Sequence, residues 1–120
     1  MANQQVFLKV LRGQDKGKGW ELEQGQVYTL GRSRSCNLHL ADTTASASHA
    51  RLECRDGVWL ITDEHSTHGT RVNDQRILGG KPLFDRDRIR LGKTLLEFRE
   101  YEPLDDADLA EIDRGVHLPD

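Results

Sequence analysis

Hydrophobic positions recur at intervals of two along most of the chain. Ala50, Leu52 and Cys54 alternate with His49, Arg51 and Glu53, which puts apolar side chains on one face of an extended segment and polar ones on the other. Asp56-Gly57 comes next and predicts a tight hairpin turn, because both residues tolerate positive φ. The run that follows, Val58-Trp59-Leu60-Ile61, is apolar at every position and reads as a central strand covered on both faces. Further short strands are predicted over residues 6–11, 20–23, 27–30, 37–40, 89–91 and 94–98. Gly13, Gly17, Gly19, Gln24-Gly25, Asn73-Asp74, Gly79-Gly80 and Leu91-Gly92-Lys93 supply turns between them. No segment of residues 1–100 carries a convincing helical period. Many short strands with regular turns predict an all-β fold, a sandwich of two sheets.

The pattern changes after residue 100. Pro103 opens a tail in which Asp105, Asp106 and Asp108 precede Leu109 and Ile112, and Arg114-Gly115 follows. Early acids, a late cation and a closing glycine are the marks of a short capped helix. Two apolar residues would dock such a helix only weakly, and a linker is the preferred reading. The expected organisation is one sandwich domain over residues 1–100 and an acidic tail over residues 101–120. Charge divides at the same place: the first 100 residues carry a net +3 and the last 20 a net −6.

A body this weakly basic, with scattered aromatics, does not suit the wrapping of nucleic acid. No run of the sequence is long and apolar enough for a membrane helix, and the first five residues lack both parts of a signal peptide. Cys36 and Cys54 lie in apolar-flanked segments without C-x-x-C spacing, so they read as buried thiols of a reducing cytoplasm rather than a disulfide or metal pair. The composition thus predicts a cytoplasmic protein with neither a membrane nor a nucleic-acid partner.

The chemistry sits in the connections. Arg32 follows Gly31 just after a predicted strand, Ser46 stands just before one, and Ser66-Thr67-His68-Gly69-Thr70 lies between two. A phosphorylated threonine carries about −1.5 to −2 charges and three acceptor oxygens at neutral pH. Holding it requires a permanent cation and several aimed donors. Arg32 supplies a planar fork of N–H groups, and Ser46 and Thr67 supply hydroxyls from two other loops. Gly31 is expected to let the backbone turn so that the guanidinium points out of its loop. Arg34, two positions on, adds to the field or meets an acidic residue of the partner. Taken singly, these are ordinary loop residues; in combination they describe an anion grip.

Their spacing resembles the forkhead-associated (FHA) domain, a phosphothreonine-peptide-binding module. Gly31-Arg32-Ser33 matches that family's opening motif, Cys36-Asn37-Leu38-x-Leu40 its next strand, and Ser46-x-x-His49-Ala50 its Ser-x-x-His-Ala. Asp63, Ser66-Thr67-x-Gly69-Thr70-x-Val72-Asn73 and Leu83 followed by Asp87-Arg88-Ile89-x-Leu91-Gly92 complete the pattern, which covers residues 6–99. The resemblance implies an eleven-stranded FHA/SMAD-like β-sandwich with the ligand on one loop apex. It implies that Arg32 and Ser46 bind phosphate with Thr67 assisting, that His49 holds Ser46 in place by hydrogen bonds across loops, that Gly69 permits a tight loop, and that Asn73 fixes the following turn.

Two departures fall on the peptide-reading side of that site. The family's asparagine is His68 here, and a ring nitrogen cannot copy an amide that donates and accepts side by side. The polar residue often found after the serine is Ala47. Asn37 and Asp74 also depart from the family pattern, in positions that read as structural. The function implied is a non-catalytic, phosphothreonine-dependent protein–protein interaction module in Ser/Thr kinase signalling; the alternative is a phosphate-independent interaction or assembly domain on the same fold.

Catalysis and metal binding find little support. Ser48 and His49 with Asp63 imitate a hydrolase triad in composition only, because neighbouring strand residues point to opposite faces, and no nucleophile elbow is present. His65-x-x-His68 has a tolerable ligand spacing, but no third ligand stands in a recognisable pattern. Lys9, Lys16 and Lys18 near Gly13, Gly17 and Gly19 lack the Lys-Ser/Thr ending of a phosphate loop. No enzyme activity, cofactor or metal is expected.

Overall fold

The structure, a computed structural model, describes residues 5–101. The acidic tail, with its alternatives of helix and linker, lies outside the described residues. Eleven strands follow in order: β1 Gln5–Arg12, β2 Gly19–Leu22, β3 Val27–Gly31, β4 Leu38–His39, β5 Ala50–Arg55, β6 Val58–Asp63, β7 Thr70–Val72, β8 Gln75–Arg76, β9 Gly80–Leu83, β10 Arg88–Leu91 and β11 Thr94–Tyr101. They form a six-stranded sheet, β2-β1-β11-β10-β7-β8, and a five-stranded sheet, β4-β3-β5-β6-β9. No helix occurs among the described residues, and none therefore is long and apolar enough to cross a membrane.

Alternation drives the layering. Val6, Leu8 and Val10 of β1, Ile89 and Leu91 of β10, and Leu96 and Phe98 of β11 face inward from the larger sheet. Leu30, Leu52, Trp59 and Ile61 meet them from the smaller one, with the Trp59 and Phe98 rings 6.4 Å apart. Each fully buried side chain of this size contributes about 1.5–3 kcal/mol, so the sandwich core supports loops that have few apolar contacts of their own. Asp56 and Gly57 take φ of 52° and 80° in the β5–β6 turn, the left-handed pair that a two-residue hairpin needs.

The structure corrects two expectations about strands. The β6 run is covered on one face only: Trp59 and Ile61 are buried, Leu60 is half-buried and Val58 is exposed. Strands β7, β8 and β9 carry no individual strand signal in the sequence. Strand β8 has two residues, both exposed, and β9 contains Pro82. Proline is tolerated there because β9 is an edge strand with no neighbour on its outer side. Cys36 and Cys54 are free thiols, the first buried and the second half-buried.

Candidate functional site

Three connections converge at one end of the sandwich: β3–β4, β4–β5 and β6–β7. They are tied to each other by backbone and side-chain hydrogen bonds. Arg32 N–H donates to the Ser46 carbonyl at 3.0 Å and Ser33 N–H to the Ala47 carbonyl at 3.1 Å, so the first loop is zipped onto the second. Gly31 is what allows this approach. A Cβ at that position would overlap the Ala47 carbonyl oxygen and sit 2.9 Å from the Ser46 oxygen. Its φ is not in the left-handed region, so close contact, rather than the turning freedom expected from the sequence, is why glycine fits.

Arg32 is exposed, and its Nε donates to the Ala45 carbonyl at 3.1 Å. One of the five guanidinium N–H donors thus anchors the side chain, leaving the four terminal ones for a ligand. Ser46 Oγ accepts from Thr67 N–H at 2.9 Å and lies 3.5 Å from Thr67 Oγ1. The Ser46 hydroxyl donates to Thr67 Oγ1 across a contact at the limit of hydrogen bonding, so a ligand oxygen can take that hydrogen, and the Thr67 hydroxyl keeps its own to donate. Residues 21 positions apart in sequence meet here.

His49 holds this meeting point from below. It is fully buried; its Nδ1 accepts from Ser46 N–H at 3.0 Å, and its Nε2 faces the Gly69 carbonyl at 2.9 Å. Acceptance at Nδ1 places the ring proton on Nε2, which donates to that carbonyl. One imidazole therefore spans the second and third loops. The third loop is folded around Asp63, whose carboxylate accepts from Ser66 N–H at 3.1 Å, from Thr70 Oγ1 at 2.7 Å and from Ser66 Oγ. Ser66 Oγ in turn accepts from Gly69 N–H at 2.9 Å. Burial pushes Asp63 up, but these bonds outweigh it and hold the carboxyl below its ordinary range. Gly69 takes φ of 85°, which glycine permits without strain.

Asp42 was not singled out by the sequence. Its carboxylate accepts from Lys93 N–H at 2.8 Å, from Thr94 Oγ1 at 2.7 Å, and from the Thr44 amide and hydroxyl. This joins the β10–β11 turn to the β4–β5 loop. Asp42-x-Thr44 is an Asx-turn spacing, the one sequence signal that pointed to it.

The remaining predicted residues are more scattered. Arg34 is exposed on the β3–β4 loop and makes no ion pair with a described residue. Ala47 is exposed and contributes its carbonyl, which accepts from Ser33 N–H and from Cys36 Sγ at 3.1 Å. His68 is exposed beside Thr67 and lines a depression of about 270 Å³ together with Thr44, Arg71, Arg90 and Lys93. Asn73, with φ of 49°, begins the β7–β8 turn; its side chain donates to Asp87 Oδ1 and accepts from Arg88 N–H. It lies outside the three-loop cluster. No group of three or more metal-ligating side chains occurs among the described residues.

A family model described as "Inner membrane component of T3SS, cytoplasmic domain" matches residues 9–102. The chain is 32% identical over 93 residues to the FHA domain-containing protein FhaB of Mycobacterium tuberculosis, covering 78% of this chain and 59% of FhaB. The chain thus spans less than two thirds of the length of the curated relatives it matches. Among solved structures, an FHA domain from a structural and functional analysis of phosphothreonine-dependent FHA domain interactions superposes with a TM-score of 0.73. It is 32% identical, with 83% of this chain and 99% of that one covered. The FHA domain of CT664 from Chlamydia trachomatis gives a TM-score of 0.76 at 28% identity, covering 81% of this chain and 98% of that one. Sandwich topology, the three-loop apex and sequence identity agree: the chain belongs to the FHA domain family, in the group described as the cytoplasmic domain of an inner membrane component of T3SS.

Proposed function

We propose that the chain is a non-catalytic module that binds phosphothreonine-containing proteins in Ser/Thr kinase signalling, in the cytoplasm. The observation that carries this reading is the junction of Arg32, Ser46 and Thr67. A guanidinium pinned at Nε and two hydroxyls from separate loops present donors at one exposed place, and no carboxylate of a described residue pairs with Arg32. A relative of the same fold was studied for phosphothreonine-dependent interactions, which supports the same chemistry here.

In this reading the four free N–H groups of Arg32 face the phosphate oxygens, while Ser46 Oγ–H and Thr67 Oγ1–H donate from the side. His49 and Asp63 do not touch the ligand; they set where the two hydroxyl loops stand. The site needs no cofactor, and nothing in it forms or breaks a bond. Residues 1–100 constitute the binding domain and 101–120 an acidic tail.

Hydrogen bonds to a charged group contribute about 1.5–3 kcal/mol each, so replacing Arg32 removes two or more of the strongest. Arg32→Ala is expected to reduce phosphothreonine-peptide binding by at least about 100-fold in calorimetry, with an unchanged thermal midpoint. Equal binding by variant and parent, or equal binding of the unphosphorylated peptide, would transfer the chain to the phosphate-independent reading suggested by His68 and Ala47.

A further inference from the structure

The strand register places four arginines in one row across the outer face of the six-stranded sheet. Arg12 stands opposite Leu95, Leu95 opposite Arg90, Arg90 opposite Arg71, and Arg71 opposite Arg76. All four arginines are exposed, and none is in an ion pair among the described residues, whereas Arg88 and Arg99 nearby share Glu97. Arg71 meets only a backbone group, the Asp74 carbonyl at 3.2 Å. Like charges directly opposite on neighbouring strands destabilise a sheet. An unpaired arginine ladder therefore works against the fold unless an anion covers it.

The row is continuous with the loop apex. Arg71 and Arg90 share the depression that His68 lines. The Arg76 guanidinium packs on the third loop, with Nε 2.7 Å from where a Cβ on Gly69 would stand. Arg90 also borders a second depression of about 250 Å³ with Arg12 and Arg88, in which Asp74 is present but forms no ion pair. A path of cationic side chains thus runs from the residue beside Thr67 to the end of β1.

We propose that this row docks an acidic segment of the same partner whose phosphothreonine is held by Arg32, Ser46 and Thr67; the proposal rests on that reading of the apex. Four strand spacings of about 4.8 Å span roughly 19 Å, the length of about six extended residues. Arginine forks pair with carboxylates in a bidentate manner. Leu95, which stands between Arg12 and Arg90, is buried, and the row has no aromatic side chain on which bases could stack, so a peptide fits it better than a single-stranded nucleic acid. The chain's own acidic tail is a competing occupant, because it begins at the opposite end of β11 and is long enough to return.

The test compares three phosphothreonine peptides: one with neutral flanks, one with six residues alternating Asp and Ser before the phosphothreonine, and one with the same six after it. One acidic peptide is expected to bind about tenfold tighter than the neutral one at low salt, with the gain shrinking as ionic strength rises. Arg71→Ser/Arg90→Ser is expected to abolish that gain, bind the neutral peptide as the parent does, and melt no lower than the parent. Equal affinity for all three peptides overturns the proposal while leaving the phosphothreonine reading intact. Failure of the parent to bind even the neutral phosphopeptide sinks the earlier reading instead. A gain that appears only after removal of residues 102–120 assigns the row to the tail and overturns docking of the partner. So does salt-sensitive binding of a DNA oligomer that needs Arg71 and Arg90, if no acidic peptide gains.

Discussion

Replacing His49 with alanine removes the buried side chain that, beside the Ser46 hydroxyl, links the two hydroxyl-bearing loops. Two polar groups lose their partners at once: the Ser46 N–H, bonded to Nδ1 at 3.0 Å, and the Gly69 carbonyl, bonded to Nε2 at 2.9 Å. A buried donor or acceptor left unsatisfied costs about 1–3 kcal/mol, so the pair costs about 2–6 kcal/mol. Removal of the ring also leaves a cavity, because His49 is fully buried. A loss of about 4 kcal/mol is expected, a large part of the 5–15 kcal/mol by which such domains are stable.

Equilibrium unfolding in urea reads this directly. For a slope of about 2 kcal/mol/M, the midpoint should fall by about 2 M with the slope unchanged. His49→Gln keeps an acceptor and a donor on one side chain and should recover part of the loss. Phosphopeptide affinity should fall in the alanine variant even at temperatures where it is fully folded, since Ser46 and Thr67 are no longer held 3.5 Å apart. A midpoint shift below about 0.5 M would refute the reasoning: it would mean that water replaces the ring and that the loops fix each other without it.

Gly31→Ala should impair binding and stability together, because the new Cβ overlaps the Ala47 carbonyl, a backbone atom that cannot rotate away; a variant with parental melting and affinity would show that the loops yield freely. Burial raises the Asp42 carboxyl, but hydrogen bonds from Thr44, Thr94 and Lys93 outweigh it and bring it down from 3.8 to about 2. A folded value below the unfolded one means that this stabilisation is present above about pH 4 and lost as pH falls through about 2; the shift corresponds to about 2 kcal/mol. Asp42→Asn should lower stability at pH 7 and flatten its decline between pH 4 and 2, and an acid limb as steep as the parent's would refute the assignment.

Much of this was legible because it is local. The Asp56-Gly57 turn, the alternation in β5 and the hydroxyl loops are set by neighbouring residues, and the eight strands predicted from them lie within about three positions of those observed. The motif also pointed to loops that lie side by side, with His49 bonded to Ser46 N–H and to the Gly69 carbonyl. What escaped the sequence depends on distant partners. Strand β8 exists because Arg71 and Val72 offer it a ladder, not because Gln75-Arg76 has a strand-forming pattern. The Asp42 cluster joins residues about 50 positions apart. The arginine row is invisible along the chain, since Arg12, Arg71, Arg76 and Arg90 become neighbours only through register.

In the proposed reading, those same distances let the side that would read the peptide differ while the side that would hold the phosphate stays intact. The contacts that set the grip pass through backbone or through buried groups: Arg32 Nε on the Ala45 carbonyl, Thr67 N–H on Ser46 Oγ, His49 on Ser46 N–H and the Gly69 carbonyl. Ala47 enters through its carbonyl, which any residue supplies, and His68 projects outward into the depression shared with Arg71 and Arg90. Changing either side chain would therefore alter what lies beside the proposed phosphate site without moving Arg32, Ser46 or Thr67. Selectivity is free to pass from a loop amide to the charged sheet face next to it, and a His68→Asn variant should change which flanking residues are preferred while leaving the requirement for phosphate unchanged. A peptide-library profile identical for parent and variant would place selectivity elsewhere.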